Sequence, residues 1–160
     1  MNKALGILFI LLIFMSCSEN KTPQIIEKEG YNVTLPGFVN EEELAEDAFI
    51  EYANRYRNFY IAAFKLPTNL PKDSLWSQST SRITKTLENY TIDRDTSNQK
   101  ILITRIKGSF KNEKEPLFYT QKIILGPNSN AILTVWTRGD ERYKHHKETI
   151  DEIISSFKSK

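Results

Sequence analysis

Apolar positions along this chain fall in short runs of strand character, some alternating and some apolar on both faces, and two stretches have helical spacing instead. Tyr31-Asn32-Val33-Thr34-Leu35 alternates as a half-buried strand does, and Pro36-Gly37 ends it. Asn40-Glu41-Glu42-Glu43 has Asn at a helix-capping place with an acid three residues on, which predicts at most a short turn. Phe49-Ile50-Glu51-Tyr52-Ala53 and Phe59-Tyr60-Ile61-Ala62-Ala63-Phe64 are aromatic and β-branched, and they predict a hairpin with Asn54–Asn58 as its connection. A continuous helix from Glu41 to Tyr56 competes with that reading, because Leu44, Ala48 and Tyr52 also fall at helical spacing.

After a loop from Pro67 to Pro71, Ser74 reads as the N-cap of a helix running from Leu75 to about Asn89. Its apolar stripe is Trp76, Ile83, Leu87 and Tyr90, with a gap at Ser79 and Thr80, while Gln78, Arg82, Lys85 and Glu88 face water. Four strands follow: a weak one at Tyr90–Arg94, then strong ones at Ile101–Ile106, Phe118–Leu125 and Ala131–Thr137. Their short connections predict an antiparallel meander. Gly139-Asp140 opens a last helix to about Phe157, with Tyr143, Lys147, Ile150, Ile154 and Phe157 on one side. In the last strand Ile132, Thr134 and Trp136 point one way and Leu133, Val135 and Thr137 the other, so both faces of the sheet need cover. The expected fold is α+β: a twisted antiparallel sheet of about six or seven strands flanked by helices.

The N-terminus adds an address. Lys3, the uncharged run Leu5–Met15 and then Ser16-Cys17 resemble the lipobox of a bacterial lipoprotein, with Phe14 where Leu is commonest. The run is shorter than the ~20 residues that span a bilayer. The resemblance implies cleavage before Cys17, acylation of Cys17, and a membrane as partner through those chains. An uncleaved short anchor and an ordinary cleaved signal are the alternatives. Ser18 after the cysteine favours the outer membrane, facing the periplasm, under enterobacterial sorting. The domain scheme is thus 1–16 signal, 17–30 lipidated tether and 31–160 folded domain. Thirteen residues, Ser18 to Gly30, would reach about 45 Å if fully extended. Cys17 is the single cysteine, so acylation leaves the mature chain without a thiol and removes thiol catalysis, disulfides and cysteine metal sites.

Loss of residues 1–16 leaves 21 basic and 20 acidic side chains, which are interspersed. No nucleic-acid partner is expected from that balance.

The order of elements resembles the PsbP/Mog1-like fold. It is carried by a strand ending Leu35-Pro36, the Glu46–Asn54 and Asn58–Phe64 hairpin, a helix, the meander, and a helix ending Ile153-Ile154-Ser155-Ser156-Phe157-Lys158. Within that fold it is similar to small lipoproteins of Bacteroidetes. The resemblance covers residues 31–158 and implies a non-enzymatic binding or assembly role with an envelope protein partner. No cofactor is implied.

Candidate chemistry is sparse. His145-His146 are adjacent, so on a helix they point ~100° apart and do not chelate one metal together; a solvated face is expected. No G-x-S-x-G elbow or Gly-rich phosphate loop occurs. Asp93, Asp95 and Glu51 read as ordinary surface acids rather than a catalytic pair, which leaves a hydrolase as a remote alternative. Trp76 and Trp136 read as core. Among Tyr52, Tyr56 and Tyr60, the tip residue Tyr56 between Arg55 and Arg57 is the candidate partner contact, since aromatic plus Arg is the composition of interface hot spots. Asp73-Ser74-Leu75 resembles a Bacteroidetes O-glycosylation motif at Ser74. The gap at Ser79 and Thr80 raises a second reading, a carrier holding a small apolar ligand between sheet and helix.

Overall fold

The computed structural model describes residues 22–43, 45–127 and 129–160. The segments read as strands from Tyr31, Phe49, Phe59, Tyr90, Ile101, Phe118 and Ala131 onward all form strands. They are β1 (Gln24–Lys28), β2 (Tyr31–Leu35), β3 (Val39–Glu41), β4 (Ala48–Asn54), β5 (Phe59–Leu66), β6 (Leu87–Asp95), β7 (Ile101–Phe110), β8 (Leu117–Leu125), β9 (Asn130–Arg138) and β10 (Lys158–Ser159). Two helices interrupt them, α1 (Lys72–Thr84) and α2 (Asp140–Ser156). Seven strands make one antiparallel sheet in the order β3-β4-β5-β9-β8-β7-β6, and β1-β2-β10 make a small second sheet. The hairpin, the meander and the two-sided cover follow the sequence pattern.

Strand parity divides the core. Ile61, Ala63, Leu133 and Val135 face α2 and the small sheet, where they pack with Tyr31, Val33, Leu35, Ile150, Ile153, Ile154 and Phe157. Tyr31 and Phe157 stack with ring centroids 5.5 Å apart, which fastens the end of α2 to β2. The opposite parity faces α1, with Leu102, Ile123 and Ile132 buried against Phe64, Leu66 and Trp76.

Lys122 stands on the α2 side of β8 and is only 6% exposed. Its Nζ donates to the main-chain carbonyls of Ile154 at 2.8 Å, Ser155 at 3.3 Å and Phe157 at 2.7 Å. These are the orphan acceptors of a helix C-terminus, so a lysine from the sheet closes α2 from below. Burial pushes the Lys122 pKa down, while the three carbonyls favour its charged form.

Several expectations are corrected. Residues 24–28, read as tether, form β1, paired in register with β2 from Gln24↔Leu35 to Lys28↔Tyr31. Asn40 and Glu41 lie in β3, paired to β4, and start no helix. The first helix begins at Lys72, after Pro71 in the capping place, so Ser74 is its third residue and not its N-cap. It ends at Thr84, where Lys85 N–H donates to Ser81 and Thr86 N–H to Ile83. Leu87 is therefore buried as the first residue of β6. On α2, Lys147 is exposed and His146 takes the inward place, its ring 5.3 Å from Phe38 and 5.0 Å from Phe59. Trp76 and Trp136 are half-buried rather than core, and Glu51 is a buried acid, 4% exposed.

Candidate interaction sites

Besides Tyr90, which is exposed on β6, two places among the described residues combine aromatic groups with a shaped surface. One is the β4–β5 hairpin tip. Asn54 builds it: its Oδ1 accepts from the main-chain N–H of Asn58 at 3.0 Å and Phe59 at 3.2 Å, and its Nδ2 donates to Asn58 Oδ1 at 2.7 Å. Arg57 adopts φ 52°, the left-handed turn conformation, and its N–H donates to the Asn54 carbonyl at 2.8 Å. The Arg57 guanidinium then reaches Glu42 at 2.9 Å. With Arg57 tied down, Tyr56 is left 77% exposed beside exposed Arg55. The expected exposure of Tyr56 is therefore found, on a tip held by five named hydrogen bonds.

The other is a cleft between α1 and the sheet, absent from the predicted site residues. Strand register lays three rows across β5, β9 and β8. Tyr60, Trp136 and Tyr119 are cross-strand neighbours, then Ala62, Thr134 and Gln121, then Phe64, Ile132 and Ile123. The first row is a ladder of half-buried rings, with centroids 5.8 Å apart for Tyr60–Trp136 and 6.1 Å for Tyr119–Trp136. The middle row is short, so the floor dips between two bulky rows. Ser79, Arg82 and Ile83 of α1 form the other wall, and the space enclosed is about 230 Å³. Burial pushes the Tyr119 hydroxyl pKa up, partly offset by Arg138, so the phenol is neutral. Gln121 Nε2 donates to Thr134 Oγ1 at 3.2 Å, and its buried Oε1 has no hydrogen-bond partner among the described residues.

The helix is fixed at the far side of this cleft. Trp76 Nε1 donates to Thr104 Oγ1 at 3.1 Å. The Arg94 guanidinium lies 4.2 Å from the Trp76 ring and reaches Asp73 at 2.6 Å. Trp76 thus ties this end of α1 to β6 and β7, with its ring against the Leu102–Ile123–Ile132 cluster, and the cleft opens beyond it at Tyr60, Trp136 and Tyr119. The gap at Ser79 was the legible signal. Cross-strand register, which places Tyr60, Trp136 and Tyr119 together, was not.

The remaining candidates do not converge. Cys17 lies outside the described residues. Ser74 is half-buried in α1 and lines neither place. Glu51 is on β4 and Asp93 and Asp95 on β6, five strand spacings apart in the sheet, or roughly 24 Å at about 4.8 Å each. Glu51 accordingly forms no carboxylate pair with either. Its Oε2 accepts from the Ala45 N–H at 3.1 Å. Asp95 accepts from the Ser97 N–H, which holds its carboxyl below the usual range. His145 and His146 are 4.7 Å apart with rings 76° from parallel. Desolvation, helped by His145 and Arg142, lowers the His146 pKa. Among the described residues no group of three His, Cys, Asp or Glu is placed to hold a metal.

No protein-family model matches the chain, and no curated protein matches it in sequence. Its structure is similar to solved ones. The Ran-binding protein Mog1p of Saccharomyces cerevisiae superposes with a TM-score of 0.65 at 10% identity, over 87% of this chain and 96% of that one. The cyanobacterial PsbP protein of Synechocystis superposes with a TM-score of 0.64 at 9% identity, over 91% and 98%. The fold is PsbP/Mog1-like.

Proposed function

We propose that this chain is a lipid-anchored, non-enzymatic interaction module of the bacterial cell envelope, which docks a protein partner through its β4–β5 hairpin tip. The observation that carries the reading is Tyr56, exposed beside Arg55 on a tip that the Asn54 hydrogen bonds hold in one shape. Such a tip loses little conformational freedom on docking, and Tyr and Arg are enriched among residues that dominate binding energy. The fold, shared with a Ran-binding protein, supports a binding role. The Lys3–Cys17 segment supports anchoring, with Cys17 as the acylated residue. Because β1 takes up residues 24–28, the stretch between the acyl chains and the first strand is residues 18–23. That is about 20 Å when extended, so the domain stands closer to the lipid surface than a thirteen-residue tether would hold it.

Two experiments test this. Radiolabelled palmitate should enter the full-length protein in a bacterial host and be lost in Cys17→Ala; retained label refutes the anchor. A photoreactive side chain at position 56, in cells of the source organism, should yield one discrete cross-linked membrane-fraction protein that position 111 does not yield. Tyr56→Ser should then weaken binding of that protein by about 30-fold, or ~2 kcal/mol. Equal cross-linking from both positions would remove the tip as the docking site.

A further inference from the structure

We propose that the cleft between α1 and β5–β9–β8 is a binding site for a small monocarboxylate with an apolar body of about eight carbons. The size follows from the space: a cavity of about 150 Å³ holds the six carbons of benzene, so about 230 Å³ suits a body of roughly eight or nine. That is below the ~300–1,000 Å³ typical of drug-sized ligands and suits a short chain. The lining is ring and aliphatic surface from Tyr60, Trp136, Phe64 and Ile83, over the small floor residues Ala62 and Thr134.

Charge selects the head group. Arg82 is the one charged residue that lines the cleft. It is exposed, and it makes no ion pair or hydrogen bond among the described residues. No carboxylate lines the cleft to compete for it. The single acid of α1 is Asp73, in the first turn, where it is taken by Arg94. An anion at the mouth therefore meets an unpaired guanidinium able to bind a carboxylate through two parallel N–H donors, while a cation at the same place is repelled by it and is left with the ring faces and Gln121 Oε1 further in. The proposed site does not depend on the hairpin tip. A free acid is chosen over the C-terminus of a partner peptide because a space of about 230 Å³ is filled by one short chain.

The two tryptophans supply the assay. Trp136 lines the cleft and Trp76 does not. The protein, labelled with 5-fluorotryptophan, is titrated with sodium octanoate and followed by fluorine NMR. The Trp136 resonance should shift saturably and by more than that of Trp76, which packs behind the lining residues Phe64, Leu66 and Ile132 without lining the cleft itself. Hexanoate should bind about 15-fold more weakly, at roughly fourfold for each methylene lost. Octylamine should bind at least tenfold more weakly than octanoate, and Arg82→Gln should cost octanoate about tenfold without moving the melting temperature. Ala62→Leu and, separately, Thr134→Leu should abolish the Trp136 shift by filling the floor. The proposal is overturned by equal shifts at both tryptophans, by octylamine binding as well as octanoate, or by no saturable shift below about 10 mM. Tighter binding of a peptide ending in an apolar residue than of octanoate would equally overturn it.

Discussion

Replacing Lys122 by Met should destabilise the fold although the new side chain is apolar, unbranched and of similar volume. Lys122 is buried, and its ammonium closes α2 through two short contacts and one longer one. A hydrogen bond to a charged group contributes about 1.5–3 kcal/mol, and an acceptor left buried without a partner costs about 1–3 kcal/mol. The carbonyls of Ile154 and Phe157, at 2.8 and 2.7 Å, stand to lose most. Against this, the variant no longer desolvates an ammonium, a term of several kcal/mol. Replacing both members of a buried ion pair by apolar groups is often neutral for that reason. Here only the donor is replaced, and the acceptors are main-chain atoms that stay where they are. The balance is a loss of about 2–4 kcal/mol, which for a domain of this size lowers the melting temperature by about 10 °C. Thermal and urea melts followed by near-ultraviolet circular dichroism measure it, with an unchanged urea m-value as the check that the unfolded state is the same. A melting temperature within about 2 °C of the parent, or above it, would refute the capping role.

Three other perturbations test the packing. Phe157, fully buried and stacked on Tyr31, should cost about 3–5 kcal/mol when truncated to Ala; an unchanged melting curve contradicts the docking of α2. A Cβ at Gly108 would come within 2.9 Å of Tyr90 Cβ and 3.2 Å of Leu87 Cβ. Gly108→Ala should therefore cost about 1–3 kcal/mol by overpacking at the β6 bulge, read from chemical denaturation. His146 has its pKa lowered by burial between Phe38 and Phe59, with His145 and Arg142 adding to it. Its contribution is fully present above the unfolded value of about 6.5 and is lost as pH falls through the lower folded value. The melting temperature should accordingly decline between pH 7 and 5 more steeply in the parent than in His146→Phe, and parallel declines would contradict this.

What the sequence made legible depended on where the energetic signal lay. β7 buries side chains in alternation, while β8 and β9 bury most positions, so their apolar and β-branched runs mark them and apolar residues of both parities on β9 announce cover on both faces. β1 carries only Ile25 and Ile26, which are adjacent rather than alternating, and Ile25 is 70% exposed. That strand is held by main-chain pairing to β2 and by Ile26 alone against the core, which is too little to show in the side-chain pattern. The sequence pattern carries α1 past its true end because Leu87 falls four residues after Ile83, and its burial is the same whether it closes a helix or opens a strand. His146 sits at the correct spacing between Tyr143 and Ile150, but its polarity hid an inward place. Lys122 gave a clue, a charge among buried residues of one parity. Its partners are carbonyls of a distant helix end, beyond any pattern of residue types.

The two helices differ in apolar content, and that difference explains why one face of the sheet is filled and the other is not. α2 brings Tyr143, Ile150, Ile153 and Ile154 to its face, and β2 adds a further layer. Among thirteen residues α1 offers Leu75, Trp76 and Ile83, with Ser79 and Thr80 where the next apolar turn would fall. Pinned by Trp76 at the β6–β7 side, it leaves the ring ladder of Tyr60, Trp136 and Tyr119 half covered. An unfilled face of this kind should be improvable. Ala62→Leu adds three carbons at the cleft floor, and at ~0.8 kcal/mol for each buried CH₂, discounted for incomplete burial, it should stabilise by about 1–2 kcal/mol. That is the direction expected when a site is kept open for a ligand at the expense of packing. A melting temperature that falls on this substitution would mean that the floor is already closed and that Tyr60, Trp136 and Tyr119 pack as ordinary boundary residues.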